Sequence, residues 1–178
     1  YATALGIEGS DHLMTDFSPA GHEAQEALNR QTLAKLNSLD QSNDADRLAA
    51  GVLRNSLEMS EREFAAGEHL RSIRVLAGNV DYARSVFDLM PTDTAEQWQT
   101  IAQRMSRVSQ AFAGMRESWR LGMQRNTVAP LRQVLAVAEM LEGWAGTSSA
   151  PGFFASLAER ATPVKGAPLE DQRRAAND

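Results

Sequence analysis

The sequence predicts an all-α fold, an irregular bundle of about five to seven helices, and three observations carry that prediction. The first is a long apolar stripe. Trp98, Ile101, Met105, Val108, Phe112, Met115 and Trp119 alternate steps of three and four residues, which places them on one face of a helix. The second is composition: Ala, Leu, Glu, Gln, Arg and Met dominate, the residues that lose least on entering a helix. The third is punctuation, with cap-type Ser, Asn and Thr residues and well-placed prolines ahead of the apolar runs.

Residues 1–17 read as an extended or short helical lead-in, interrupted by Gly6, Gly9 and Ser10-Asp11. Ser18 is a candidate N-cap with Pro19 at the first helical position. The helix after it carries Ala24, Leu28, Thr32, Leu36 and Leu39 and should end near Asp40. Asn43 or Asp44 caps a second helix whose face is Leu48, Val52 or Leu53, and Leu57, with Phe64 on the same side. Gly67 weakens it, so it ends there or runs unevenly to Leu70. Ile73 to Ala77 reads as irregular, and Val80 to Met90 as a short helix stopped by Pro91.

The long helix then spans about 94–125. Asp93 with Glu96, or Thr94 with Gln97, fits a capping box at its start. At 1.5 Å per residue it would be about 45 Å long. Its other face is polar and includes Gln99, Gln103, Arg104, Arg107, Arg116 and Arg120. Thr127 and Pro130 open the next helix, lined by Leu131, Val134, Leu135, Ala138, Leu141 and Ala145, with Trp144 flanking. Gly146 to Pro151 is a loop, and Phe153, Phe154 and Leu157 mark a short helix ending by Thr162-Pro163. Pro168 to Asp178 opens one more helix with hardly any apolar face, which reads as truncation or fraying.

Composition excludes several classes. There is no cysteine among the 178 residues, so disulfides and thiolate chemistry are absent. No apolar run is long enough for a membrane span, and no signal segment is present. The net charge of −5 gives no general attraction for nucleic acid or an anionic membrane. The chain opens at Tyr1 without Met, so it is read as cut. A cytoplasmic location is favoured, although nothing in the sequence fixes the compartment.

Candidate chemistry is sparse. A metalloprotease helix needs His-Glu-x-x-His, because positions i and i+4 bring two imidazoles to one metal. The stretch His22-Glu-Ala-Gln-Glu26 has glutamate in the second place, so His22 and Glu26 read as a solvated helix turn. His12 and His69 are lone histidines of structural or solvent-facing type. Glu58, Glu61 and Glu63 lack the apolar setting that would raise a carboxyl pKa. No nucleophile elbow and no phosphate-binding glycine loop occurs. The arginine sets around Arg71, Arg74 and Arg84, and around Arg104 to Arg120, read as solvated or domain-facing surface. Met105, Met115 and Met123 read as core rather than as an adaptable groove, and Trp98, Trp119 and Trp144 need burial or a partner. Catalytic, cofactor-binding and metal-binding residues are therefore all assigned as none.

Four stretches in order carry a family resemblance. They are Ala2-Thr-Ala-Leu-Gly6 with Asp16-Phe-Ser-Pro19, Leu53-Arg-Asn-Ser-Leu-Glu58, Val86-Phe-Asp-Leu-Met-Pro-Thr-Asp-Thr-Ala-Glu-Gln-Trp98, and Gly122 to Trp144 containing Val128-Ala-Pro-Leu-Arg-Gln-Val134. Over about residues 1–146 the chain resembles the N-terminal helical part of the bacterial "domain of unknown function 885" (DUF885) proteins. The resemblance implies a parent of several hundred residues, placed with zinc-dependent peptidases, whose His-Glu-x-x-His helix lies in the C-terminal half. No residue of this chain matches that motif. The implied reading is a helical domain over 1–146, followed by a short helix and tail over 147–178 leading into a missing catalytic region. Such a chain would wall or cover a substrate cleft and be inactive alone. Zinc would belong to the parent and not to this chain. Its partners would be the missing C-terminal half and a second copy through an exposed apolar patch. The rival reading is a free-standing helical protein-interaction module with no enzymatic role.

Overall fold

The apolar stripe is the spine around which the other helices pack. In the computed structural model, which describes residues 2–146 and 151–177, eight α-helices follow one another: α1 Pro19–Ser38, α2 Asp44–Ala65, α3 Asn79–Ser85, α4 Ala95–Met105, α5 Val108–Gln124, α6 Leu131–Ala145, α7 Phe153–Glu159 and α8 Leu169–Asn177. Short 3-10 turns lie at Thr3–Leu5, Glu68–Arg71 and Val86–Leu89. The fold is all-α, an irregular bundle as the sequence predicts. The predicted loop at 147–150 lies outside the described residues.

The long helical run is α4 plus α5, joined through Ser106 and Arg107, which keep right-handed backbone angles. The join tightens for one step, where the Arg107 amide bonds the Arg104 carbonyl instead of the residue before it. The stripe crosses this step in register: Trp98, Ile101, Met105, Val108 and Met115 are all buried, while Phe112 and Trp119 are half-buried. At the start, Thr94 and Gln97 form the capping box, of the two pairs the sequence allows.

The two halves of the run serve two apolar clusters. Around α4 pack Phe87, Met90, Leu157 and Ala161, with α8 laid across them. Around α5 pack Phe17, Val80, Ala83 and Val137. Arg84 joins the clusters from α3, its guanidinium 4.8 Å from the Phe153 ring and 5.9 Å from the Trp144 ring. Gly114 and Gly122 let α5 lie directly on other backbone. A Cβ on Gly114 would sit 2.7 Å from the Ser18 nitrogen, and one on Gly122 2.6 Å from the Thr127 oxygen and 2.7 Å from the Leu70 oxygen.

Several faces differ from the sequence reading. In α6 the core side is Val137, with Met140, Leu141 and Trp144, while Leu131 and Leu135 face solvent. That helix is apolar on most sides, so periodicity alone does not choose its buried face. In α2, Leu48 and Val52 are exposed and Ala50 is buried instead. The last helix is not frayed. Gln172 is fully buried and its Nε2 donates to the Trp98 carbonyl at 3.4 Å, while Leu169, Ala175 and Ala176 pack on the Trp98 cluster. Two small alanines and one leucine suffice there because α8 meets a large aromatic neighbour.

α1 and α2 form an antiparallel hairpin. They pack chiefly on each other, with lesser contacts from α1 to α5 and from α2 to the 3-10 turn at Glu68. Cross-hairpin bonds run from Arg30 to Glu61 and from Arg54 to Asn37. No helix among the described residues is long and apolar enough to cross a membrane.

Candidate functional site

Two features of the hairpin stand out: a polar cleft at its base and an uncharged face along α2. The cleft begins at the N-terminus of α1, where the Ser18 hydroxyl accepts from the Gly21 amide at 3.1 Å. One and two turns on, His22 and Glu26 point to the hairpin's inner side. Opposite them, Gly67 takes the left-handed conformation, with φ of 75°, and ends α2. The chain then enters the 3-10 turn that carries His69. The His69 ring stacks on Phe64, with centroids 4.4 Å apart and planes 7° from parallel. The His22 ring lies 5.0 Å from it at a tilt of 50°.

The expected solvated turn is buried at Glu26, only 3% exposed, and half-buried at His22, while Glu23, Ala24 and Gln25 between them are exposed. Its charge is balanced by Arg30, whose Nε stands 3.0 Å from Oε1, an ion pair without hydrogen-bond alignment. The same Nε donates to Glu61 at 3.3 Å. His22 Nε2 and His69 Nδ1 are buried without hydrogen-bond partners. Burial lowers the pKa of His22, opposed by Asp16. Burial, then His22 and Arg125, pushes that of His69 down to about 4. Both imidazoles are therefore neutral at pH 7.

The cleft encloses about 400 Å³ and is edged by Gln25, Asn29, Glu63, Glu68 and Arg74. Periodicity gives His22 and Glu26 one helical face. It gives no sign that His69, 47 positions after His22, closes on them. The only local hint is Gly67, which marks a chain reversal. Among the described residues, no group of three or more His, Cys, Asp or Glu side chains is placed to hold a metal ion. The structure thus offers the zinc-peptidase expectation no ligand set.

The α2 face is the second feature. Ala45, Leu48, Val52, Asn55 and Met59 repeat the three-and-four spacing of the core stripe, yet all are exposed. Leu48 is 71% exposed, Val52 65% and Met59 47%. Ala49, Gly51 and Ser56 flank them, also exposed. Between Leu48 and Leu57 the single charged residue is Arg54, which turns away to Asn37 of α1. The other residues that the sequence singles out scatter over the fold. Met105 and Met115 are in the core and Met123 is exposed. Trp98 is buried, and Trp119 and Trp144 are half-buried. Glu61 is taken by Arg30, and His12 lies in the lead-in and does not line the cleft that holds His22 and His69. Arg104, read as polar surface, is buried.

A family model described as bacterial protein of unknown function (DUF885) matches residues 1–178. No curated protein matches the chain. The family match runs on to residue 178 and does not stop near 146. This overturns the reading of the chain as an N-terminal wall for a missing catalytic half. It also removes that half as the partner, and with it the argument for a patch left bare by it.

Proposed function

Since the chain belongs to the bacterial DUF885 family, we propose that it is a helical protein-interaction module that acts by binding, through the exposed face of α2. The observation that carries this is the uncharged stripe Leu48, Val52 and Met59 on a hairpin whose two helices pack chiefly on each other. Solvent-facing helix sides ordinarily carry charge, and a contiguous apolar stretch marks an interaction site. Covering these three side chains would contribute on the order of 1–2 kcal/mol each. The small flanking residues Ala49, Gly51 and Ser56 let another helix approach closely. The partner is accordingly an amphipathic helix with an apolar stripe of the same spacing.

A photo-crosslinking residue placed at Val52 or Met59, in bacterial cells that express the protein, tests this. A discrete adduct is expected at both positions, and it should disappear when Leu48→Lys is added. The same probe at Gln110, exposed on α5, should give none. Equal adducts at Gln110, or adducts indifferent to Leu48→Lys, would refute the reading. An adduct of twice the chain's own mass would replace the partner helix by a second copy.

A further inference from the structure

A second cavity lies on the body of the protein, apart from the hairpin face. It encloses about 400 Å³ between the lead-in, α3 with its following 3-10 turn, and α4. Its wall is mostly apolar, with Leu13, Met14, Phe17, Val86 and Leu89, and it includes one permanent cation, Arg104. That size is at the lower end of ordinary small-molecule pockets.

Arg104 is only 3% exposed. Its Nε donates to the Leu13 carbonyl at 2.9 Å, and its Nη2 to the Thr3 hydroxyl at 2.9 Å and the Ser10 carbonyl at 3.1 Å. Nη1 is buried with no hydrogen-bond partner. The nearest carboxylate, Asp11, stands 3.9 Å from Nη2, is itself partly solvated, and already accepts a hydrogen bond from Thr3 at 2.7 Å. A guanidinium stays protonated in a protein, and a buried charge is costly unless paired and fully bonded. Here three neutral acceptors and one distant carboxylate serve it, and the two N–H groups of Nη1 are left over.

We propose that this cavity binds an amphipathic monocarboxylate, its aliphatic body against Leu13, Met14, Phe17, Val86 and Leu89 and its carboxylate on Arg104. A single cation in an apolar wall suits one negative charge on an apolar body, and a dianionic phosphate would be left undercompensated. The lead-in forms the cover. Gly6 and Gly9, both at positive φ with no neighbour within 4 Å of a Cβ, give it room to adjust around a ligand.

The test is calorimetric titration with decanoate below its micellar range and with decanol, which has the same body and no charge. Decanoate should bind with a single-site stoichiometry and at least tenfold more tightly than decanol. Arg104→Met should erase that preference. Should Arg104→Met fail to fold by circular dichroism, Leu13→Trp decides. Leu13 is partly exposed at the cavity wall, so the substitution fills the space without removing a core side chain. It should weaken decanoate at least tenfold. Equal affinity for decanoate and decanol, no binding of either, or unchanged decanoate binding to Leu13→Trp would each overturn the proposal.

Discussion

Substituting alanine for glycine at two helical positions should change stability in opposite directions. Gly122 is buried in α5 and Gly51 is exposed in α2. On propensity alone, each Gly→Ala change in a helix interior gains about 1 kcal/mol. At Gly51 nothing lies within 4 Å of the new methyl, so the gain of about 1 kcal/mol should be realised. At Gly122 the methyl would stand 2.6 Å from the Thr127 oxygen, 2.7 Å from the Leu70 oxygen and 3.2 Å from the Leu70 Cβ. Folded proteins do not bring Cβ atoms within 3.0 Å of such neighbours. Two of the three are backbone carbonyls, which cannot rotate aside. The Thr127 amide also bonds the Gly122 carbonyl at 2.8 Å, so the loop cannot move off without losing that bond. Overpacking of this kind costs about 1–3 kcal/mol, and rigid neighbours put it near the top of that range. The net effect at Gly122 is a loss of about 2 kcal/mol, opposite in sign to Gly51. For a chain of this length that is a Tm lower by roughly 4–8 °C, against a rise of about 2–4 °C for Gly51→Ala. Urea titration of wild type and both variants measures it. A Gly122→Ala protein as stable as wild type would refute the close approach of α5 to the turn that carries His69.

Two further outcomes follow from the same packing. His69 has its folded pKa near 4, below the ordinary histidine value of 6.5, so the unfolded chain binds more protons between those limits. Its contribution is complete above about pH 6.5 and is lost as pH falls toward 4. His69→Phe keeps a ring on Phe64 and removes the titration, so its urea midpoint should fall less between pH 7 and pH 5 than the wild-type midpoint. Equal slopes would show that His69 is not buried as described. Trp98 is 1% exposed and its Nε1 donates to the Thr92 carbonyl at 2.8 Å. Trp98→Ala should cost about 3–5 kcal/mol, while Leu135→Ala on the open side of α6 should stay within about 0.5 kcal/mol by chemical denaturation.

The helices and the spine are legible in the residues alone. The stripe from Trp98 to Trp119, the Ser18 cap and the Thr94–Gln97 box are local patterns, with interactions spanning three or four residues, so they can be read without knowing the neighbours. What each face touches depends on the assembled fold. Leu48 and Val52 have the same spacing as core residues yet face water, because α1 covers the Ala50 side of α2 instead. Arg104 belongs to a polar face by periodicity, and is buried because the lead-in, more than 90 positions earlier, supplies three acceptors for it. Glu26 is buried where Phe64 of α2 faces α1 and His69 returns beside it after the chain reverses at Gly67. The last helix has almost no apolar stripe of its own, and it packs because Trp98 already offers a broad apolar surface. Periodicity records which residues share a side of a helix. Burial depends on what arrives from distant parts of the chain, and a one-dimensional spacing carries no term for that.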